Sequence, residues 1–156
     1  MTAQEIIRFL DLKRHPEGGF YRETYRSFEA IPGTSRVLST AIYYMLVPES
    51  VSKLHRLKSD EMFHFYLGDP VTWVLLDPSK KVRKIVLGNK LQEGQHPQML
   101  VKSGTWFGGS LNKGGSFALM GTTVSPGFEF DDFVLGKPEE LLREFPGAEK
   151  EIMELT

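Results

Sequence analysis

The first residues of the chain alternate apolar and polar positions with the period of an amphipathic helix. Thr2 and Glu5 have the spacing of a capping box at a helix start. The apolar face is formed by Ile6, Ile7, Phe9 and Leu10. The run His15–Gly19 holds a proline and paired glycines, which interrupt regular structure, so a helix is predicted over about residues 3–11.

From residue 20 onward the pattern changes to short segments rich in aromatic and β-branched residues, separated by glycine or proline turns. Such segments are typical of strands. The predicted strands cover Phe20–Ser27, Val37–Val47, Glu61–Leu67, Val71–Leu76, Val82–Leu87, Gln98–Lys102, Thr105–Phe107, Ser116–Val124 and Glu129–Val134. Because no helical pattern lies between them, they predict an all-β sandwich or closed barrel over about residues 19–135.

The C-terminal part returns to a helical pattern. Pro138 suits the first turn of a helix, and Leu141 and Phe145 could pack back on the barrel, so a helical tail is expected over about residues 138–155. The chain has 156 residues and shows no repeat or linker. It is therefore predicted to form a single domain over residues 1–156.

Composition narrows the class of partner. Hydrophobic residues make up 40% and charged residues 25% of the chain, which is typical of a globular protein. The formal net charge of -1 predicts neither a nucleic acid nor a membrane surface as partner. No uninterrupted apolar run of roughly eighteen residues occurs, so no transmembrane helix is expected. The chain has no cysteine, which excludes disulfides and thiolate chemistry and favours a cytoplasmic location.

The residues best suited to chemistry lie around the predicted strand that begins near residue 61. An imidazole beside a carboxylate can bind a divalent metal or carry a proton. Glu61 and His64 would point to opposite faces of a regular strand unless a bulge shifts the register. His55 lies beyond a loop-like stretch and could reach either face, so His55 and Glu61 form the better candidate pair. A solvated carboxylate and a hydrogen-bonded histidine at a strand end remain the alternative interpretation.

Four segments, in this order, resemble the cupin superfamily, and in particular the small single-domain cupin 5 family of mostly unknown function. They are His15–Glu23, His55–Pro70, Gly104–Phe107 and Gly121–Phe133. The resemblance implies an all-β fold, the double-stranded β-helix or jelly-roll barrel, with a short N-terminal helix and C-terminal helices. It also implies a homodimer with a small-molecule pocket at one mouth of the barrel. The fold would be similar to that of sugar-nucleotide epimerases and germins.

The general cupin motifs carry metal-binding histidines, and two of the four expected ligands are absent here. Lys53 stands in place of the first histidine and Phe107 in place of the last. Neither lysine nor phenylalanine is a plausible metal ligand. No cofactor is therefore expected, and a weakly bound divalent metal on His55 and Glu61 is the one metal site left open.

Further candidates come from the aromatic strands. The candidate catalytic residues are His55, Glu61, His64 and Tyr44. The candidate ligand-binding residues are Tyr21, Glu23, Gln98, Trp106 and Phe107. Core packing or strand-edge positions are the alternative roles for the aromatic residues and the glutamine.

The two opposite faces of the predicted strand Phe20–Ser27 are alternative linings of the pocket. Tyr21 and Glu23 share one face of the strand, whereas Arg22 and Arg26 share the other. Either face could line the pocket. The arginines are interpreted as part of a solvated face or a dimer contact in preference to an anion clamp.

The leading hypothesis is a cupin-type pocket for a small polar metabolite, with isomerase or epimerase activity on a sugar-like or carboxylated compound. His55 would act as acid or base, Glu61 as its partner or a second proton carrier, and a tyrosine as the opposite donor. A non-catalytic small-molecule-binding protein is the alternative, and a metal-dependent oxygenase is less favoured. Turnover is inferred by analogy with fold relatives.

Overall fold

Two antiparallel sheets and three short helices make up the protein in a computed structural model that describes all residues 1–156. The helices are α1 (Ala3–Phe9), α2 (Pro138–Glu144) and α3 (Glu149–Glu154). The strands are β1 (Lys13–Arg14), β2 (Phe20–Arg26), β3 (Thr40–Leu46), β4 (Val51–Arg56), β5 (Asp60–Gly68), β6 (Val71–Leu76), β7 (Val82–Leu87), β8 (Gln98–Val101), β9 (Trp106–Leu111), β10 (Ala118–Ser125) and β11 (Val134–Leu135). The predicted all-β fold with helices at both ends is confirmed.

The chain passes back and forth between the sheets. One sheet has six strands in the order β1-β2-β3-β10-β5-β8, and the other has five in the order β11-β4-β9-β6-β7. Successive strands β3, β4, β5 and β6 therefore alternate between the sheets. This alternation brings strands that are distant in sequence, such as β3 and β10, side by side.

The main core lies between the inner faces of the two sheets. It contains twelve buried side chains: Tyr44, Leu46, Phe63, Val71, Trp73, Leu75, Leu87, Met99, Val101, Phe107, Ala118 and Met120. Burial of each large apolar side chain stabilises the fold by roughly 1.5–3 kcal/mol. Because the contributions from β3 and β10 come from the end of β3 and the start of β10, the opposite ends of these strands are left to surround a cavity.

Helices cover parts of both outer faces. The capping box at Thr2 and Glu5 is present, and α1 ends at Phe9, two residues before the expected end. Its buried Ile6 packs with Met45 and other apolar residues on the outer face of the six-stranded sheet. The helices α2 and α3 pack on the five-stranded sheet. Their cluster contains Leu54, Val74, Leu76, Trp106, Leu141, Phe145, Ala148, Ile152 and Leu155. None of the helices combines the length and apolar character needed to cross a bilayer.

Two segments differ from the sequence-based prediction. Residues 51–56, which carried no strand prediction, form β4, which pairs with β9 and changes register between Ser52 and His55. Residues 129–134 were predicted as a strand but form a 3-10 turn at Phe130–Asp132 followed by the two-residue β11. The Asp132 carboxylate lies 2.6 Å from the Arg36 guanidinium, and this ion pair ties the segment to the chain that precedes β3.

The loop His15–Gly19 joins β1 to β2 and leans on β4. The backbone N–H of Lys53 donates to the carbonyl of Glu17 at 2.9 Å. Gly18 has a φ of +113°, and a Cβ at this position would collide with the carbonyl oxygen of Val51. The loop therefore needs glycine at position 18 to reach β4.

Replacing Gly18 with alanine is expected to destabilise the protein by about 2–4 kcal/mol, because the left-handed backbone and the collision with Val51 both oppose the side chain. Equilibrium denaturation measures the change. Gly147→Ala is the matched control, since no atom lies within 4 Å of its added Cβ. Equal stabilities for the two variants would contradict the described loop packing.

Candidate functional site

A cavity of about 310 Å³, large enough for a small organic molecule, opens at one end of the sandwich. Both sheets, the His15–Gly19 loop and the segment after β10 contribute to its wall. Its aromatic residues are His15, Tyr21, Tyr44, His55, Phe63, Phe128, Phe130 and Phe133. Its acidic and basic residues, apart from the two histidines, are Glu17, Glu23, Arg26, Glu61 and Glu129.

A buried ion pair closes one wall of the cavity. The Nε2 atom of His55 lies 3.0 Å from Oε2 of Glu17, and both side chains are less than one-tenth exposed. Glu17 comes from the β1–β2 loop of the six-stranded sheet, and His55 from β4 of the five-stranded sheet. The Ser52 hydroxyl donates to the other Glu17 oxygen at 2.9 Å. This pair therefore joins the two sheets beside the cavity.

His55 is a charged imidazolium in this arrangement. Its Nδ1 lies 2.6 Å from the carbonyl oxygen of Lys53, and its Nε2 faces the Glu17 carboxylate. Both partners only accept hydrogen bonds, so both ring nitrogens must carry a proton. Burial alone would lower the pKa of His55, but the charge and hydrogen bond of Glu17 outweigh it, and the pKa is raised. With both nitrogens occupied, His55 has no free N–H for a ligand.

Glu17 is held as a carboxylate. Burial alone would raise the pKa of Glu17. The His55 charge and hydrogen bond, the nearby His15 and the Ser52 hydroxyl outweigh this effect and lower the pKa to about 2. The charge of Glu17 is therefore constant over the pH range in which enzymes work.

Glu61 behaves in the opposite way. It is buried and faces the cavity, yet it forms no ion pair. Burial raises the pKa of Glu61 to about 7, although the positive charge of His55 and the hydroxyl of Thr122 act against this rise. The Glu61 carboxyl therefore gains and loses its proton near neutral pH, which is the property of a proton carrier.

His15 is a second titratable group beside the cavity, and one of its ring nitrogens has no protein partner. Its Nδ1 accepts the backbone N–H of Glu17 at 3.2 Å and lies 3.5 Å from Oε2 of the same residue, which is long for a hydrogen bond, so the shorter contact assigns the proton of the neutral ring to Nε2. Burial lowers the pKa of His15, and the neighbouring His55 charge adds to this effect, although Glu17 opposes it. A neutral His15 therefore offers an Nε2–H donor, which no protein group uses, beside the cavity.

The mouth of the cavity is shaped by a bulge at Thr24. Glu23 pairs with Ile42 and Tyr25 with Ala41, so Thr24 is the extra residue on β2. The extra residue brings Arg26 to the same side of the strand as Glu23, and both line the cavity. The expectation that Arg26 belongs to the opposite face is therefore wrong, because it assumed a strand without a bulge.

Five of the predicted site residues line the cavity, and their functional roles remain predictions. They are Tyr21, Glu23, Tyr44, His55 and Glu61. The Tyr44 hydroxyl is already used, since it donates to the carbonyl of Gly18 at 2.9 Å. Tyr44 therefore holds the His15–Gly19 loop against β3, and its proton is less available to a ligand.

Four other predicted site residues lie outside the cavity wall. His64 points to the opposite face of β5 from Glu61, because the bulge in β5 occurs opposite Leu119 and Met120, beyond His64. There its ring contacts the Thr123 hydroxyl at 3.3 Å and the Gln98 amide at 3.2 Å, so Gln98 also lies on that face.

Trp106 and Phe107, the two aromatic residues of the Gly104–Phe107 segment, both serve in packing. Trp106 is buried under the C-terminal helices, with the Arg56 guanidinium 4.5 Å from its ring centre. Phe107 belongs to the main core and supports the His55 ring from behind, at a centroid distance of 4.1 Å. Placing Trp106 and Phe107 in the pocket wall is therefore not supported by the geometry.

Sequence reasoning missed His15, Glu17, Glu129 and the phenylalanines of the segment after β10. The available signal was the His15–Glu23 segment, which carries part of the family resemblance and places a glutamate between a proline and two glycines. The glutamate of this segment, Glu17, is 38 residues away from its partner His55 in the sequence, and only the packing of the two sheets brings them together.

The residues present do not form a metal site of the usual cupin kind. No group of three or more histidine, cysteine, aspartate or glutamate side chains is arranged to hold a metal ion. A weak site on His55 and Glu61 would require His55 to give up one of its two hydrogen bonds. The donor set therefore does not fit the ion.

Comparison with protein families matches residues 4–136 to the family described as Cupin superfamily (DUF985). The chain belongs to this cupin family. A curated relative, the uncharacterized protein YML079W of Saccharomyces cerevisiae, is 30% identical over 166 residues, covering 96% of this chain and 82% of the yeast protein. Membership of this family establishes the cupin fold of the chain.

Solved structures agree with this assignment. Protein SO0799 from Shewanella oneidensis is 42% identical with a TM-score of 0.94, covering 100% of this chain and 98% of that chain. A hypothetical protein from Leishmania major is 33% identical with a TM-score of 0.94, and the match covers 100% of this chain and 99% of that chain. Oxalate decarboxylase of Bacillus subtilis, whose Mn(II) centres have been studied, is 18% identical with a TM-score of 0.60, covering 94% of this chain and 38% of that chain. At 18% identity, the similarity to oxalate decarboxylase shows a shared fold only.

Replacing Glu61 with glutamine is expected to stabilise the protein at alkaline pH. The unfolded carboxyl ionises near 4.5 and the folded one near 7, so wild-type stability falls between these values as the unfolded chain releases a proton that the folded chain keeps. Glutamine removes this loss, which amounts to about 3 kcal/mol above neutrality. Melting temperatures of wild type and Glu61→Gln should therefore diverge as the pH rises from about 4.5 to about 7.

Glu154→Gln is the matched control for this measurement, because it makes the same chemical change at an exposed site on α3. Its melting temperature should follow that of the wild type at every pH. A constant difference between wild type and Glu61→Gln across the pH range would show that Glu61 does not titrate near neutrality.

Proposed function

We propose that the cavity is the active site of an isomerase or epimerase that moves a proton on a small polar, sugar-like molecule. The observation that carries this proposal is Glu61, a buried carboxyl without an ion pair that faces the cavity and titrates near neutral pH. A group whose pKa lies near the working pH is both a competent base and, once protonated, a competent acid.

Glu61 acts first as the base. Its carboxylate takes the proton from a carbon next to a carbonyl group, and the electron pair of the broken C–H bond moves into that carbonyl to give an enediol or enolate. The protonated Glu61 then returns the proton. Return to the opposite face of the same carbon gives the epimer. Return to the former carbonyl carbon gives the isomer, and the hydroxyl proton of the first carbon then moves to the former carbonyl oxygen. Atoms and electrons balance without an oxidant or a reductant.

His15 stabilises the negative oxygen in this step. Its Nε2–H has no protein acceptor, and the lowered pKa keeps the ring neutral. A neutral imidazole N–H can donate to the enolate oxygen and remain matched to it in acidity. His15 thus takes the donor role that sequence analysis gave to a tyrosine.

The Glu17–His55 ion pair supports the reaction without touching the substrate. The backbone N–H of Glu17 fixes the tautomer of His15, and the charge of His55 keeps the pKa of Glu61 from rising further. We therefore assign His55 a positioning role in place of the acid–base role expected from the sequence.

A carboxylated substrate is less well supported than a sugar-like one. Arg26 is the one arginine in the cavity wall, and Glu23 and Glu129 already occupy its guanidinium. No cation is left free to clamp a carboxylate.

The test is solvent exchange. The protein is incubated in D₂O with a mixture of aldoses, ketoses and amino sugars, and proton NMR follows the loss of carbon-bound protons. The wild type is expected to exchange one C–H proton of its substrate, with a rate that rises as Glu61 ionises toward a pH of about 7. Glu61→Gln is expected to lower the rate by about 10²–10⁴-fold, whereas Glu154→Gln should not.

Full exchange activity in Glu61→Gln would contradict the proposal. Thermal stabilisation of the wild type by a mixture component that undergoes no exchange would also contradict it, and would favour the alternative of a non-catalytic binding protein that uses the same cavity.

A further inference from the structure

The mouth of the cavity has a net negative charge, because two carboxylates, Glu23 and Glu129, face one cation, Arg26. The Arg26 guanidinium is shared by two carboxylates, at 2.9 Å from Glu23 and 2.9 Å from Glu129. Its Nη2 also donates to the carbonyl of Phe128 at 3.2 Å. Four of the five N–H groups of Arg26 are engaged by these partners, and its single charge is shared by two carboxylates, so one carboxylate charge at the mouth has no counterion.

The interior adds no positive charge to offset this excess. The charges of His55 and Glu17 cancel within their ion pair, and His15 is neutral. Glu61 is more than nine-tenths buried, faces the cavity and has no ion-pair partner. The cavity as a whole is therefore negative whether or not Glu61 is ionised.

Aromatic rings surround this negative mouth. Phe128 and Phe130 flank Glu129 in the sequence, and their ring centres lie 5.0 Å apart at 81°. Phe133 lies 6.4 Å from Phe128, and Phe130 is 54% exposed at the opening. The faces of such rings attract cations, and a nearby carboxylate strengthens this attraction.

We propose that the ligand of this cavity is a small organic amine bound as its cation, with the ammonium group at the mouth between Glu129 and the rings of Phe128 and Phe130. The hydroxylated or carbonyl-bearing part of the molecule extends inward toward Glu61. This inference rests on the proposed function in taking the cavity as the ligand site, and it adds the charge class. An amino sugar has this chemistry.

The charge class is tested with three probes of nearly equal size and shape. Benzylamine is a cation near pH 7, benzyl alcohol is neutral and benzoate is an anion. Calorimetric titration of the wild type at low ionic strength is expected to show benzylamine binding at least about tenfold more tightly than benzoate, with benzyl alcohol between them. Equal affinities, a preference for benzoate, or no binding by any of the three would overturn the inference.

The assigned position is tested with Glu129→Gln, which removes the uncompensated charge and keeps the size of a half-exposed side chain. Its preference for benzylamine over benzoate should shrink by at least about threefold. Glu154→Gln makes the same charge change at an exposed residue outside the cavity wall and should keep the wild-type preference. Equal shifts in both variants would show that only overall charge matters and would overturn the inference.

These outcomes are separate from those of the exchange experiment. Probe binding with the predicted charge order does not depend on turnover, so a protein that binds benzylamine but exchanges no substrate proton keeps this inference and loses the isomerase proposal. An active isomerase that prefers the neutral or anionic probe keeps the proposed function and loses the ammonium site.

Discussion

The ion pair between Glu17 and His55 is the interaction on which the arrangement of the cavity depends. It joins a loop of one sheet to a strand of the other, where both groups are withdrawn from water. Burial of two charges costs several kcal/mol for each ion unless every remaining donor and acceptor is satisfied. The Ser52 hydroxyl and the Lys53 carbonyl satisfy them here. The pair can therefore persist inside the protein, and it fixes the distance between the sheets at the cavity.

The same pair divides the chemistry of the cavity into two parts. In the interior, it orients His15 through the Glu17 backbone and moderates the pKa of Glu61, which leaves one donor and one proton carrier free. At the mouth, Arg26 is committed to Glu129 and a second carboxylate, which leaves an excess negative charge. Proton transfer and recognition of a cation are thus assigned to different ends of one small space.

Much of this fold could be predicted from the sequence, because strand alternation, turn residues and the capping box are local signals. The opposite orientations of Glu61 and His64 also followed from strand alternation. The side of β2 to which Arg26 points could not be predicted, since it depends on a single bulged residue, Thr24. Nor could the partner of His55, because the ion pair joins two segments that are brought together only when the sheets pack.

The protonation state of His55 tests the central claim most directly. With ¹⁵N-labelled imidazole rings, NMR of the folded protein is expected to show both His55 nitrogens still protonated above the ordinary histidine pKa of 6.5, because Glu17 and the Lys53 carbonyl both require a donor. A His55 ring that loses a proton near 6.5, or that has one bare nitrogen at neutral pH, would contradict the ion pair and the account built on it.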